Sequence, residues 1–530
     1  MYSLYAQLTS KYPFFQRSRY KYIAIAAVFV LFLYTFFHID RNGLEVSSRL
    51  RNPFRASSSS SSLPNLTAIV SDAASYFTNY PLPSSAFGEL GRRTELLTSW
   101  IKLSDTLAPS FTPNETATLD SALNTALLAS FPFLRNPSLP YTSTDFHTLQ
   151  QANRAPFTAL RHRIRSGTRG IVIPAGKPQF RFAAHLIQNL RAVLNSSLPI
   201  QIAYAGDGDL PHEYRAALCG LAANVSALDV LSVFDDRSLQ LRDGKAGWAV
   251  KPFAALASDF EQVVLLDADV VFAARPEDTV LRTLGYNETG VMLYHDQLVS
   301  QNKFVDRAEW WRWELKKAGR TPSEALRKSK VWTEGYAEEG DSGVVVLDKR
   351  RLEVLTGLLH VAWQNSREVR DEWTYKMTYG DKESWWFGME LSGVPFAFEE
   401  HYGAVLGDKV PIRSGANVRR NGTASVGLKM PKEKVCGFSI AHAGEDGKLL
   451  WYNGSLLKNK AVDQKEFTVP EWWMIDAEWV KGATKADVSC MKGGQVLAVD
   501  ADALRVMSET VERAKLVDKA FAKLIANLES

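Results

Sequence analysis

Residues 247–272 read GWAVKPFAALASDFEQVVLLDADVVF, and this stretch decides the fold class. A helix predicted over residues 251–260 leads into an apolar run that ends at Asp267-Ala268-Asp269. The preceding segments alternate in the same way: IVIP at 171–174, a helix at 178–194, IQIAYAG at 200–206, a helix at 212–222 and DVLSVF at 229–234. Strands alternating with helices at this spacing predict an α/β fold with a mostly parallel, Rossmann-like sheet, whose ligands bind at the carboxyl ends of the strands.

The two acids at the end of this strand predict a metal site. Unpaired charge next to a buried strand is costly, and Asp267 and Asp269 therefore favour a role as oxygen ligands of a divalent cation. Mg²⁺ or Mn²⁺ bound there would bridge a diphosphate and neutralise a departing nucleotide. The alternative is that the two acids form a solvated turn at the strand end and bind no ligand.

The same tripeptide also fits a haloacid-dehalogenase-like phosphatase. In that interpretation Asp267 attacks the phosphate and Asp269 acts as acid and base. That fold places the motif after its first strand, whereas here about 100 residues of strand and helix pattern come first. It also needs acids further downstream, and Gly380-Asp381 is followed by Trp385 where a second aspartate would be expected.

Composition excludes several classes of protein. With 46% hydrophobic and 23% charged residues, the 530-residue chain is globular rather than disordered. Lys and Arg exceed Asp and Glu by 62 to 58, and four basic residues in the first 21 positions account for the excess, which argues against nucleic acid as a partner. The three cysteines, Cys219, Cys436 and Cys490, exclude a disulfide scaffold and a zinc ribbon but allow one bridge.

The N-terminus has the pattern of a signal anchor. Residues 22–39 carry no formal charge and would span about 27 Å as a helix. No small-residue cleavage site follows them, which favours a retained transmembrane helix over a cleaved signal peptide. The basic residues 1–21 are then the cytoplasmic tail, and the remainder is lumenal. Candidate N-glycosylation sites on that side are Asn65, Asn114, Asn195, Asn224, Asn287, Asn421 and Asn453.

The remaining boundaries follow from composition. Residues 40–65 are Ser-rich with flanking prolines and predict a flexible stem. Residues 66–165 show helix-like patches broken by prolines and predict a mostly helical neck. The α/β domain is assigned to 166–470, and a C-terminal helical extension to 471–530. Apolar residues of that extension recur at threes and fours, which indicates a helix packed on the α/β domain.

Four ordered blocks carry a more specific signal: residues 247–272, EEGDSGVVVLDKRR at 338–351, YGDKESWWFGMEL at 379–391 and FSIAHAGEDGKLLWYNGSLL at 438–457. Together, over about residues 165–465, they resemble the fungal α-1,3-mannosyltransferase family, Golgi type II membrane enzymes that use GDP-mannose. The resemblance implies a GT-A fold for nucleotide-sugar transferases, with Mn²⁺ or Mg²⁺ at the donor site. It also implies transfer to a mannose-containing glycan with retention of configuration.

The resemblance assigns metal and phosphate ligands. Asp267 and Asp269 look like the metal and diphosphate pair, and His442 resembles the late histidine that supplies a third metal ligand. An apolar strand delivers His442 to a polar turn, and neutral imidazole is a good Mn²⁺ ligand. Lys448 is placed like the lysine that contacts the donor phosphates, although a surface hairpin is the alternative.

Further residues are expected around the donor and the acceptor. Lys251, at the start of its helix, and Asp341, Ser342 and Gly343, at the beginning of a strand, are expected to approach the donor. Asp381 and Glu383 resemble the acidic block near the donor sugar and are the catalytic candidates; the choice between a nucleophile and a reaction assisted by the leaving phosphate stays open. Trp385 or Trp386 is expected to line the acceptor cleft.

Three functions therefore remain besides the phosphatase. The first is mannosyl transfer from GDP-mannose in protein glycosylation. The second is transfer from a UDP-hexose by the same fold, because GDP is indicated by the resemblance alone. The third is a catalytically silent sugar-binding protein, which the intact acids argue against. The class of acceptor glycan and the oligomeric state stay open.

Overall fold

The computed structural model describes residues 66–135, 155–242, 247–412, 433–484 and 486–529. The predicted tail, transmembrane anchor and stem lie outside the described residues, and so do the candidate glycosylation sites Asn65 and Asn421. Within the described ranges, no helix combines the length and the apolar character needed to cross a membrane.

The elements are numbered along the chain. The α-helices are α1 (Leu66–Asn79), α2 (Phe87–Leu107), α3 (Pro113–Ser130), α4 (Pro156–Arg163), α5 (Phe180–Gln188), α6 (His212–Cys219), α7 (Asp236–Leu239), α8 (Val250–Ala257), α9 (Leu284–Thr289), α10 (Val305–Lys317), α11 (Glu324–Lys328), α12 (Lys330–Glu334), α13 (Leu352–Gln364), α14 (Arg367–Val369), α15 (Tyr375–Met377), α16 (Lys382–Ser392), α17 (Ala501–Ala520) and α18 (Ala522–Glu529). The strands are β1 (Arg165–Pro174), β2 (Ile200–Tyr204), β3 (Val225–Asp229), β4 (Phe260–Leu266), β5 (Val270–Phe272), β6 (Val291–His295), β7 (Gly340–Asp348), β8 (Ala397–Phe398), β9 (Ala404–Pro411), β10 (Glu433–Ala443), β11 (Leu449–Asn453), β12 (Leu457–Asn459), β13 (Asp463–Phe467), β14 (Trp472–Met474), β15 (Glu478–Val480), β16 (Ser489–Lys492) and β17 (Leu497–Ala498).

A seven-stranded mixed sheet forms the centre, in the order β3-β2-β1-β4-β7-β6-β8. The first four strands in this order are parallel, as the sequence predicts, and the α/β class is confirmed. Strand β7 runs antiparallel to both β4 and β6. Because of that reversal, the beginning of β7 lies beside the carboxyl end of β4, where the Asp267 amide donates to the Gly343 carbonyl at 2.8 Å.

The Asp267–Asp269 turn is the point at which the chain leaves the central sheet. Strand β5 follows it and pairs with β11, which belongs to a second, antiparallel sheet. In that sheet β11 also pairs with β10, where His442 lies opposite Trp451. The two sheets therefore meet at the acidic turn, and their junction collects side chains from distant parts of the sequence.

Two segments differ from the sequence predictions. The third strand is Val225–Asp229 instead of the apolar run at 229–234, because β3 is an edge strand with several exposed positions. Phe234 in that run packs instead against Phe133 and Phe253 of neighbouring segments. Residues 472–498, placed in the helical extension, contain the strands β14 to β17, and the helix begins only at Ala501.

Helix α17 packs on α5 through its apolar face. Val506, Met507 and Val511 are buried on this face, and Asp500 caps the helix by accepting from the Ala503 amide at 2.9 Å. Near the other end, Asp518 accepts hydrogen bonds from Arg181 and lies 2.7 Å from His185 Nε2.

One disulfide joins Cys436 on β10 to Cys490 on β16, two positions that face each other in the sheet, whereas Cys219 is a free thiol. Because the bridge closes a separation of 54 residues, removing it with Cys436→Ser/Cys490→Ser is expected to lower the free energy of unfolding by about 4 kcal/mol. Denaturant unfolding of the oxidised protein measures this loss, and Cys219→Ser is the control. Equal unfolding curves for the double variant and the wild type would contradict the bridge.

Candidate active site

Lys251 is the centre of a buried ionic cluster. Its ammonium lies 2.9 Å from Asp267 Oδ1 and 3.2 Å from Asp381 Oδ2, and it donates to Ser342 Oγ at 2.7 Å. The lysine comes from the start of α8, Asp267 from the end of β4, Ser342 from the start of β7 and Asp381 from the residue before α16. Four residues nominated from the sequence are thus brought together around one cation.

The charges in this cluster depend on each other. Burial lowers the pKa of Lys251, but Asp267 and Asp381 outweigh it, so that the pKa is raised above its ordinary value. Burial raises the pKa of Asp267, and the lysine opposes that shift. With 3% of its side chain exposed, Lys251 is a desolvated cation whose charge the two carboxylates compensate.

A second pair, Asp341 and His442, lies where the sheets meet. The His442 Nε2 and Asp341 Oδ2 atoms are 3.2 Å apart, while Asp341 Oδ1 accepts from the Gly343 amide at 2.8 Å and from Asn453 Nδ2 at 3.2 Å. Burial opposes ionisation of Asp341, but its hydrogen bond with His442 holds its pKa below the ordinary value. The imidazole stacks on Trp451 with 3.9 Å between ring centroids, which fixes its orientation.

Asp269 has a different counter-ion, Lys460. This lysine lies in the turn between β12 and β13 and forms an ion pair with the Asp269 carboxylate. Burial lowers the pKa of Lys460 to about 8. The Asp269 carbonyl also accepts from the Ser455 amide at 2.8 Å, which holds the β11–β12 connection against the acidic turn.

In this arrangement the three predicted metal ligands pair with other side chains. Asp267 and Asp269 each face a lysine ammonium, and His442 is bonded to Asp341. Within the described part of the chain, no group of three His, Cys, Asp or Glu side chains is placed to hold a metal ion. The residues present therefore do not fit a site built from Asp267, Asp269 and His442, because lysines already supply the positive charge.

Asp381 and Glu383, the predicted catalytic acids, differ in their surroundings. Asp381 Oδ2 accepts from Trp385 Nε1 at 2.8 Å, in addition to its contact with Lys251. Glu383 Oε1 accepts from the backbone amides at the start of β7, at 2.9 and 3.2 Å, and its Oε2 accepts from Trp386 Nε1 at 2.6 Å. Burial raises the pKa of Glu383 to about 8. Glu383 thus ties β7 to α16, and Asp381 is the acid that contacts the ionic cluster.

The tryptophans expected at the acceptor cleft are inside the protein. Trp385 is 2% exposed and Trp386 is 1% exposed, and the indole N–H of each is engaged by an acid of its own helix turn. Helix α16 is buried along nearly its whole length against α13 and α2, so neither ring has a face open to a sugar. The expectation that one of them lines the acceptor cleft is corrected by this burial.

Lys448 also lies apart from the cluster. Its side chain is 67% exposed on the β10–β11 turn, and its nearest acid is Asp446 at 4.0 Å. It lines a surface groove together with Asp278 and Arg282. The structure therefore supports the surface-hairpin alternative for Lys448, and it is Lys460, together with Lys251, that reaches the acidic turn.

Lys382 was also missed by the sequence prediction. It follows Asp381 directly and pairs with the fully buried Asp296, while Glu338 lies 3.9 Å away. Burial lowers the pKa of Lys382, but the surrounding acids, Asp341 among them, outweigh it and raise the pKa. The signal was present in Gly380-Asp381-Lys382-Glu383, where only the acids were assigned roles.

The candidate glycosylation sites fall into two groups. Asn114, Asn195, Asn224 and Asn287 are exposed. Asn453 is half-buried and donates to Asp341, so its amide already belongs to the ionic network.

A buried glutamate makes the free energy of unfolding depend on pH. Glu399 is 7% exposed, and burial raises its pKa from 4.5 to about 8. Between these pH values Glu399 keeps its proton in the folded protein but has lost it in the unfolded chain. The contribution of Glu399 to the free energy of unfolding is therefore fully present below pH 4.5 and is lost as the pH rises through 8. Relative to Glu399→Gln, the wild type is expected to lose on the order of 2 to 4 kcal/mol over that window. Denaturant unfolding at several pH values measures this, and a constant difference would contradict it.

Comparisons with known proteins place this geometry in a family. The family model described as "Mannosyltransferase putative" matches residues 168–444, just over half of the chain. Curated relatives include two Saccharomyces cerevisiae proteins. Alpha-1,3-mannosyltransferase MNN1 is 26% identical over 54% of this chain and 40% of its own length, and alpha-1,3-mannosyltransferase MNT3 is 26% identical over 40% and 34%. The chain thus spans less than half the length of these two relatives.

Solved structures give weaker similarity. The galactosyltransferase LgtC, in complex with donor and acceptor sugar analogues, is 15% identical with a TM-score of 0.26, over 43% of this chain and 73% of its own. Mouse xyloside xylosyltransferase 1 is 13% identical with a TM-score of 0.29, over 44% and 84%.

The family match includes the cluster around Lys251 and the Asp341–His442 pair, whereas Lys460 lies beyond it. Lys251, Asp267, Asp341, Asp381 and His442 all lie within residues 168–444. The order of the four sequence blocks, the family model and the yeast relatives agree. The chain therefore belongs to the fungal α-1,3-mannosyltransferase family.

Proposed function

We propose that this protein is a GT-A glycosyltransferase that moves mannose from GDP-mannose to a mannose-containing glycan, in α-1,3 linkage and with retention of configuration. The observation that carries the proposal is the ammonium of Lys251, buried between Asp267 and Asp381 where two sheets meet. The family membership supports the choice of a mannosyl transfer.

The reaction in the proposal balances without a redox partner. The bond between the sugar C1 and the diphosphate oxygen breaks, and its electron pair leaves with GDP. The acceptor hydroxyl oxygen bonds to C1, and the hydroxyl proton is released. Negative charge develops on the diphosphate, and fixed cations nearby stabilise it in a desolvated site.

Four residues in and around the cluster have roles in this scheme. Lys251 and Lys460 are the ammonium groups at the acidic turn, and they offset the charge on the leaving diphosphate. Asp381 offsets positive charge that develops on the sugar ring. Glu383 is a positioning residue, because its Oε1 binds the backbone at the start of β7 while its Oε2 binds Trp386 of its own helix.

Whether the transfer needs a divalent cation is a separate question for experiment. Mn²⁺ or Mg²⁺ follows from the family resemblance, whereas the acids of the cluster are paired with lysines. We assign it no step. Parallel assays with EDTA and with added MnCl₂ test whether transfer depends on it.

We also propose a Golgi location, with residues 22–39 as the membrane anchor and the catalytic part in the lumen. The basic residues ahead of the apolar segment support this orientation. The disulfide between Cys436 and Cys490 supports it independently, because such bridges persist in oxidising compartments.

The experiment uses the detergent-solubilised full chain, methyl α-mannopyranoside as acceptor, and a panel of GDP-mannose, UDP-glucose, UDP-galactose and UDP-N-acetylglucosamine. Turnover with GDP-mannose alone is expected. Turnover with a UDP-sugar instead would overturn the donor. Phosphate release from a simple monoester would favour a phosphatase, against which Asp267 already argues, because it follows the fourth strand of the chain. Sugar binding without any turnover would indicate a silent protein.

A further inference from the structure

Two large aromatic side chains are exposed side by side. Trp248 is 48% exposed and Tyr379 is 56% exposed. Their ring centroids are 5.2 Å apart with an interplanar angle of 48°, so they form one continuous aromatic surface. Leaving two such rings in water forfeits the free energy that burial would provide, so a patch of this kind marks a contact site.

The backbone fixes these two rings together. Gly380, next to Tyr379, has a φ of +70°, and a Cβ at this position would lie 2.8 Å from Trp248 Cε3. Glycine is therefore needed at position 380 for two reasons: the left-handed backbone conformation and the close approach to the indole ring. The aromatic surface is held in place by the chain itself.

The same two segments lead directly into the ionic cluster. Trp248 precedes Lys251 by three residues, and Tyr379 precedes Asp381 by two. Lys251 Nζ and Asp381 Oδ2 are 3.2 Å apart, so this ion pair joins the two segments that carry the rings. The ammonium of Lys382 also lies 5.9 Å from the Tyr379 ring centroid. Both segments of the aromatic surface thus lead into the ionic cluster, and the Lys382 ammonium lies beside the Tyr379 ring.

We infer that Trp248 and Tyr379 form a platform on which one pyranose ring of the acceptor glycan stacks. An aromatic face matches the C–H face of a pyranose, and the neighbouring charged groups match its hydroxyl edge. An apolar protein partner would instead cover the exposed part of the Lys382 side chain without offering it a hydrogen-bond acceptor. The inference rests on the proposed function, and it replaces Trp385 and Trp386 as the expected acceptor contacts.

Kinetics of the full-length protein test the platform. Trp248→Ala and Tyr379→Ala are each expected to raise the KM for methyl α-mannopyranoside about tenfold, with the KM for GDP-mannose and the rate of donor hydrolysis within about twofold. Trp248→Phe keeps an aromatic face and is expected to stay near the wild type. Trp313→Ala removes a comparably exposed tryptophan of α10 and is the matched control.

A titration without nucleotide separates this inference from the proposed function. Methyl α-mannopyranoside is added to the protein and binding is followed by ligand-observed NMR. Binding by the wild type that Trp248→Ala abolishes supports the platform, even when no donor is turned over. Transfer by the wild type with unchanged acceptor KM in both alanine variants overturns the platform and leaves the function standing. Absence of binding to the wild type at tens of millimolar saccharide also overturns it.

Discussion

Replacing Lys251 with alanine is expected to lower the free energy of unfolding by about 3 to 5 kcal/mol and to abolish transfer. The lysine is 3% exposed and is shared by Asp267 and Asp381, so its loss leaves two carboxylates at short range without their cation. Removing one partner of a buried ion pair lowers the free energy of unfolding strongly for that reason. Denaturant unfolding and the GDP-mannose transfer assay measure the two losses separately.

Two further variants test whether the loss of stability in Lys251→Ala comes from the unpaired charges. Adding Asp381→Asn to Lys251→Ala removes one of the two orphaned charges and is expected to recover part of the stability but not the transfer. Lys328→Ala removes a lysine whose pair with Glu324 is exposed, and its effect is expected to stay within about 0.5 kcal/mol. If Lys251→Ala and Lys328→Ala have the same free energy of unfolding, the ionic cluster does not stabilise this site.

Asp269→Ala is expected to lower kcat/KM for transfer by about 10² to 10³-fold while the protein stays folded. The carboxylate is at the turn where the chain passes from one sheet to the other, and it positions Lys460. Without it, the ammonium expected to offset charge on the diphosphate has no fixed position. Steady-state kinetics with varied GDP-mannose measures the loss.

The partner lysine supplies the control for this variant. In Asp269→Ala/Lys460→Met the partly buried ammonium is gone as well, so any loss of stability in the single variant is expected to be recovered, whereas transfer is not. Unchanged turnover in Asp269→Ala would remove Asp269 from the reaction, and with it the role proposed for Lys460.

Much of the central architecture is predictable because strand and helix periods are local properties of a sequence. The apolar runs at 171–174, at 200–206 and directly before Asp267 predict parallel strands with a common carboxyl edge, and the structure has strands in these places. The family blocks add Ser342 and Asp381, and both contact Lys251.

The parts that sequence did not reveal depend on contacts between distant residues. Lys460 lies in a turn without a motif, and its partner Asp269 is 191 positions away. Trp248 and Tyr379 come from different blocks, and their exposure depends on the packing of both. Trp385 and Trp386 lie on a helix that is buried on nearly all sides, where periodicity gives no orientation.

The most direct test is the product itself. Full-length protein is incubated with GDP-mannose and methyl α-mannopyranoside, and the disaccharide is examined by NMR for its linkage and anomeric configuration, with Asp267→Asn as the inactive control. An α-1,3-linked mannose disaccharide from the wild type, and none from the variant, is the predicted result. A different sugar or linkage, or equal product from Asp267→Asn, would contradict the assignment of this reaction to the cluster around Lys251.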